Sequence, residues 1–100
     1  MVNTRKKGQR TVLKGRKILE KQGYLTETVE KTGKYTKNKD LFNLFDLIAI
    51  KPNHTKLIQF KTNTKPTLKP YHAFAKTYPQ FHIEIWTWYD YEDFTIFTIS

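Results

Sequence analysis

Residues 42–50 hold seven apolar side chains interrupted only by Asn43 and Asp46. A run this short and this apolar is expected as a strand packed into a core. Residues 51–55 follow with Pro52 and Asn53, a turn composition, and 56–61 (KLIQFK) form a second short strand. The two strands read as a hairpin with a carboxylate in it. Burying an unpaired carboxylate costs several kcal/mol. Asp46 must therefore meet a cation, take up hydrogen bonds, or point outward at a sheet edge.

The rest of the chain supplies elements for this hairpin to pack against. A helix is predicted over 7–22, with Val12, Gly15, Ile18 and Leu19 on one face and basic residues elsewhere. Gly23 suits a left-handed C-terminal cap. Residues 24–30 read as a strand, and the polar, basic stretch 31–40 as a loop. Residues 62–65 are a loop. A second helix is predicted over 67–78, where Pro70 falls in the first turn and is tolerated. Residues 81–88 and 94–99 read as strands joined in a hairpin. The order is helix, three strands, helix, two strands, in a single domain spanning 1–100 with 1–6 as a flexible basic arm. That order predicts an α/β (α+β) fold with a mixed central sheet flanked by helices. The strands at 56–61 and 81–88 should be parallel, joined by a right-handed crossover.

Alternation then sorts the hairpin into faces. If Ile50 pairs with Leu57, Ile48 faces Gln59 and Asp46 faces Lys61, which gathers Asp46, Gln59 and Lys61 on one face. Phe45, Leu47, Ala49, Ile58 and Phe60 fall on the other and make core. A slip of one residue would exchange the faces.

Charge is distributed unevenly. Residues 1–39 carry 12 Lys/Arg and three Glu, whereas residues 40–100 carry six of each sign, so the net charge of +9 lies in the first two-fifths. Such a block attracts a polyanion and gains by counterion release. Arg5, Lys6, Lys7, Arg10, Lys14, Arg16, Lys17, Lys34, Lys37 and Lys39 are the candidate phosphate contacts, on the first helix and the 31–39 loop. Without cysteine, disulfide frameworks and thiolate metal sites are excluded. No apolar run approaches the roughly 20 residues of a membrane span, and the N-terminus does not read as a secretory signal. A cytoplasmic, cellular or virus-encoded protein is expected.

A carboxylate, an amide and an ammonium on one face can serve phosphodiester hydrolysis. The carboxylate anchors a hard cation, the amide oxygen and a nearby backbone carbonyl add ligands, and the lysine stabilises developing charge. The bland alternative is an Asp46–Lys61 salt bridge that satisfies both groups. His54, His72 and His82 lack metal-ligand spacing. Trp86, Trp88, Tyr89 and Tyr91 can stack on bases, but aromatics in a strand such as FHIEIWTW more often pack a sheet face. Glu84 reads as a surface residue or a partner for the basic helix. No phosphate-cradling glycine loop or dinucleotide fingerprint is present.

The stretch KDLFNLFDLIAIKPNHTKLIQFKTN resembles the core motif of the PD-(D/E)xK nuclease superfamily, most closely its small archaeal and phage Holliday junction resolvase-like members. Asp46 matches the first acid, Gln59 the second position and Lys61 the lysine, and KGRKILEKQGY resembles the family's first helix and turn. The resemblance spans residues 7–88. It implies a restriction-endonuclease-like αβββαβ core plus a C-terminal strand. It also implies a Mg²⁺- or Mn²⁺-dependent DNA endonuclease acting on branched or duplex DNA in recombination and repair. The metal would sit on Asp46, Gln59 and the Phe60 backbone carbonyl, with Asp40 a further candidate. Related enzymes act as homodimers, and the aromatic C-terminal strands are a candidate interface. Two departures stand out: Gln59 replaces the family's second acid, and the first helix lacks the Glu that the family often carries. They leave open a catalytically weak or inactive nucleic-acid-binding domain on the same fold. A small interaction module whose aromatic strands dock a protein is the third possibility.

Overall fold

The computed structural model describes residues 4–28, 42, 44–90 and 92–99, the side chains of 4–9 excepted. The elements run α1 (Thr4–Lys21), β1 (Leu25–Thr28), β2 (Leu47–Lys51), β3 (His54–Thr62), α2 (Lys69–Thr77), β4 (His82–Tyr89) and β5 (Asp93–Ile99). The strands form one mixed sheet in the order β1-β2-β3-β4-β5. β3 and β4 are parallel and every other pair is antiparallel. The helices lie on opposite faces. Leu19 of α1 packs with Leu47, Ala49, Ile58, Phe60 and Trp86, and Tyr71 and Ala75 of α2 pack with Phe45, Leu57, Ile83, Ile85 and Ile99. No helix among the described residues is long and apolar enough to cross a membrane.

α1 starts earlier than its sequence suggested and takes in residues 4–6, which the sequence had assigned to the arm. It ends on Gly23 at φ 95°, where the Tyr24 N–H donates to the Leu19 carbonyl and the Gly23 N–H to that of Glu20. This is a Schellman cap, the conformation for which glycine is suited. Val12, Gly15 and Leu19 face the sheet as expected, but Ile18 stays 37 % exposed and the buried Thr11 joins the contact face instead. Gly15 is there because the helix backbone rides directly on the Phe60 ring, which a Cβ at this position would overlap. That ring is held by Trp86 and Phe94, at centroid distances of 5.8 and 6.2 Å. In an open helix Gly→Ala gains up to about 1 kcal/mol. Here Gly15→Ala is expected to destabilise by about 2 kcal/mol through overpacking. Thermal denaturation checks the sign, and a higher melting temperature would contradict this packing.

The central hairpin departs from expectation in two ways. First, its turn is tighter. Lys51 pairs with His54 around Pro52 and Asn53, and Asn53 takes φ 63°. Proline at the first central position and a left-handed asparagine at the second suit a two-residue turn. Ile48 therefore pairs with Leu57 rather than Gln59, and Ile50 with Thr55 rather than Leu57. The shift is two residues, so side chains keep their faces. Secondly, the predicted strand over 42–50 is only half a strand. Phe42 takes φ 55°, the chain bends at Asp46, and regular pairing starts at Leu47. The bend breaks alternation, so Phe45 joins the α2 side, edge-on to Tyr71 (5.7 Å) and Phe74 (5.2 Å), instead of the face of Leu47.

Candidate functional site

The end of the β2–β3 ladder is completed by side chains. The Asp46 N–H donates to the Ile58 carbonyl at 2.9 Å, just outside the regular ladder. Beyond it the Phe60 N–H has lost its strand partner, and Asp46 Oδ2 accepts from it at 2.9 Å. The Gln59 amide, with its nitrogen turned toward the surrounding acceptors, donates to Asp46 Oδ2 at 3.1 Å and to the Leu44 carbonyl at 2.7 Å. The Leu44 carbonyl also accepts from the Tyr71 hydroxyl at 3.2 Å, which pins the start of α2 to the bend. Asp46, Gln59 and Tyr71 thus serve the backbone groups that the broken strand leaves over.

The expected trio is only partly assembled. Continuing the observed register brings Gln59 opposite Asp46, whereas Lys61 lies one pleat further on, on the same face of β3. The two-residue shift in register thus separates Asp46 from Lys61 by one pleat instead of setting them face to face. Lys61 is partly buried beside Thr87, its neighbour on β4. The Thr87 hydroxyl is fully buried and has no hydrogen-bond partner among the described residues. Such an orphan costs about 1–3 kcal/mol and is what a bound water or ligand normally satisfies.

The oxygen donors can be weighed against a hard cation. Asp46 supplies one carboxylate. In a strand the N–H and C=O of a residue point to the same side, so the Phe60 carbonyl faces the gap that its N–H shares with Asp46. Gln59 presents nitrogen rather than oxygen to Asp46, and its amide must turn over to act as a ligand. Among the described residues no three His, Cys, Asp or Glu side chains cluster around a metal-sized space. The described oxygen donors are thus one carboxylate and one backbone carbonyl, fewer than a Mg²⁺ site requires without water or substrate phosphate. Asp40, the further candidate, lies outside the described residues.

Of the candidate phosphate contacts, Arg10, Lys14 and Lys17 are exposed on α1. Arg16 is turned toward the sheet edge instead. Its Nε donates to Thr26 Oγ1 at 2.9 Å and its guanidinium reaches the Thr26 carbonyl at 3.3 Å, tying α1 to β1. The side chains of Arg5, Lys6 and Lys7, and residues Lys34, Lys37 and Lys39, lie outside the described set. At the opposite flank of α1, the buried Thr11 shares a 2.7 Å hydroxyl–hydroxyl bond with Thr62 at the end of β3.

A second polar cluster escaped the sequence. Glu84 is buried (6 % exposed), neither at the surface nor bonded to α1. Its carboxylate accepts from Trp86 Nε1 at 2.9 Å, lies 2.8 Å from His82 Nε2, and pairs with Lys56 Nζ at 3.2 Å. Burial by itself raises its pKa, but the bonds from Trp86 and His82 and the charge of Lys56 outweigh it and hold the carboxyl below its usual 4.5. His54 lies tilted against His82 at 5.4 Å, and Tyr24 lies under Lys51 and Lys56. Lys56 and His82 are direct neighbours across the parallel pair, so the cluster sits at the end of β3 away from Asp46.

Fold and site together define a small α+β domain in which an acid–amide pair closes a broken central hairpin, with Gln59 and Lys61 on the sheet face opposite the basic helix. No protein-family model matches the chain, and no curated protein matches it in sequence.

Proposed function

We propose that the chain is a metal-dependent DNA endonuclease of the PD-(D/E)xK type, hydrolysing phosphodiester bonds of branched DNA and working as a homodimer on restriction-endonuclease-like cores. The observation that carries the reading is the end of the β2–β3 hairpin. Asp46 and Gln59 meet there, the Phe60 backbone faces the same gap, and Lys61 follows on the Gln59 face. The order α1-β1-β2-β3-α2-β4, with β3 and β4 parallel, is the αβββαβ order that the sequence motif implies. Asp46 with the Phe60 carbonyl would hold Mg²⁺ or Mn²⁺, and Gln59 would join them once its amide turns. When bound, the ion would polarise the phosphate and lower the pKa of a coordinated water. Lys61 orients the attacking water and stabilises charge developing on phosphorus. The cations of α1 would hold the DNA backbone from the opposite face of the sheet.

Lys61 is the sharper test, because it makes no ion pair among the described residues and its removal should leave the fold intact. Labelled linear, flapped and four-way DNA are incubated with Mg²⁺ or Mn²⁺, beside a chelator control. Cleavage is expected with metal and not with chelator. Lys61→Ala is expected to fall by about 10²–10³, the usual loss for one electrostatic stabiliser of a transition state. An unchanged rate in Lys61→Ala would overturn the assignment.

The second reading is a nucleic-acid-binding domain without catalysis, favoured because the acceptors around Gln59, Asp46 Oδ2 and the Leu44 carbonyl, call for its amide as a donor and not as a metal ligand. It differs in expecting salt-sensitive DNA binding with no cleavage under any metal.

A further inference from the structure

α1 covers only part of its sheet face. Its contacts run over β1 and β3 and reach Trp86 on β4. Toward β5 that face continues as an open shelf. Trp88 and Phe94 are direct cross-strand partners there, edge-on at 5.2 Å and both partly exposed. Ile96, the next residue on that face, is 47 % exposed.

A cationic stripe of α1 meets the shelf at Lys14 and turns from there onto the solvent face of the helix. Arg10, Lys14 and Lys17 are spaced by four and three residues, so they form one stripe along the helix. Lys14 leans across the boundary, its ammonium 3.8 Å from the centre of the Trp88 ring. The other flank is closed by the Arg16–Thr26 contacts. An aromatic shelf beside a row of cations is the arrangement that holds unpaired nucleotides, where bases stack and the strand's phosphates meet the charges. A duplex could use only the cations, because its bases are stacked on one another.

We propose that this shelf binds a single-stranded nucleic-acid segment, with bases stacking on Trp88 and Phe94 and phosphates lying along Arg10, Lys14 and Lys17. Lys14 exchanges the indole for a phosphate when the strand arrives, which frees the ring for a base. The proposal extends the endonuclease reading to substrates with an unpaired arm and rests on it for that role, but the binding itself requires no cleavage.

The test therefore uses the full chain carrying Lys61→Ala in a chelator, with an oligothymidylate 20-mer and a duplex of equal length as probes. Trp86 is buried and bonded to Glu84, so a change in tryptophan emission reports Trp88. The single strand is expected to quench that emission and the duplex to leave it nearly unchanged. Trp88→Ala is expected to weaken binding of the single strand about tenfold, within the range of one lost base stack. Lys14→Ala should lower the slope of log K against log salt by about 0.7. Ile96→Glu, at a position open to solvent, keeps the test valid if Trp88→Ala fails to fold, and is expected to weaken the single strand severalfold. Equal quenching by duplex, or unchanged single-strand affinity in Ile96→Glu and in folded Trp88→Ala, would overturn the proposal. Tight binding with no cleavage by the unsubstituted chain would instead count against the endonuclease reading alone.

Discussion

Asp46→Ala is expected to lose about 2–3 kcal/mol of stability as well as all detectable cleavage. The Phe60 N–H and the Gln59 amide both donate to this carboxylate, and each buried donor left without an acceptor costs about 1–3 kcal/mol. For a domain of this length that lowers the melting temperature by roughly 10–20 °C. Asp46→Asn keeps an acceptor for the Phe60 N–H and should recover part of the stability. It also removes the only carboxylate of the candidate metal set among the described residues, so activity should not return. Melting curves and cleavage rates measured on both variants separate the two roles. An alanine variant as stable as the parent would mean that the carboxylate does not complete the hairpin.

The largest loss of stability is expected from Glu84→Ala, at about 3–5 kcal/mol. That is the range for removing one partner of a buried ion pair. The variant strands the Lys56 ammonium and the Trp86 N–H, both directed at Glu84. The same carboxyl sets a dependence on pH. Its folded pKa lies below the ordinary 4.5, so its contribution is complete above that value and fades as pH falls through the folded pKa. The stability difference between the parent and Glu84→Gln should therefore narrow in acid. Chemical denaturation from pH 7 downward measures it, and a difference that widened below pH 4.5 would contradict the sign.

What the sequence disclosed, and what it did not, follows from the range of each interaction. Helical periodicity identified the contact face of α1 through Val12, Gly15 and Leu19, and Gly23 marked its end, because these are signals within a few residues. Alternation put Gln59 and Lys61 on one face of β3, and that parity survived an error of two in register, whereas Asp46 stands at the bend where alternation stops. The register itself depended on how Pro52 and Asn53 turn, which composition does not specify. The bend at Asp46 was hidden because an apolar run reads as a continuous strand, and Phe45 changed sides with it. Glu84 looked like a surface residue because what makes it buriable, Lys56, stands 28 residues away in sequence. The pairing of Lys14 with Trp88 joins opposite halves of the chain and leaves no local mark. The metal set, its catalytic use and the dimer rest on motif resemblance alone.

The parallel seam between β3 and β4 also has a kinetic meaning. The hairpins β2–β3 and β4–β5 close through short turns and can form within microseconds. Joining them requires Leu57 to find Ile83 and Phe60 to find Trp86 across the intervening chain and α2. Closing that loop costs entropy before any contact repays it, and pairings distant in sequence slow folding. Both helices rest on residues of the seam, Phe60 beneath α1 and Leu57 with Ile83 beneath α2. Assembly of this domain is thus expected to turn on one encounter at its centre, between the two hairpins.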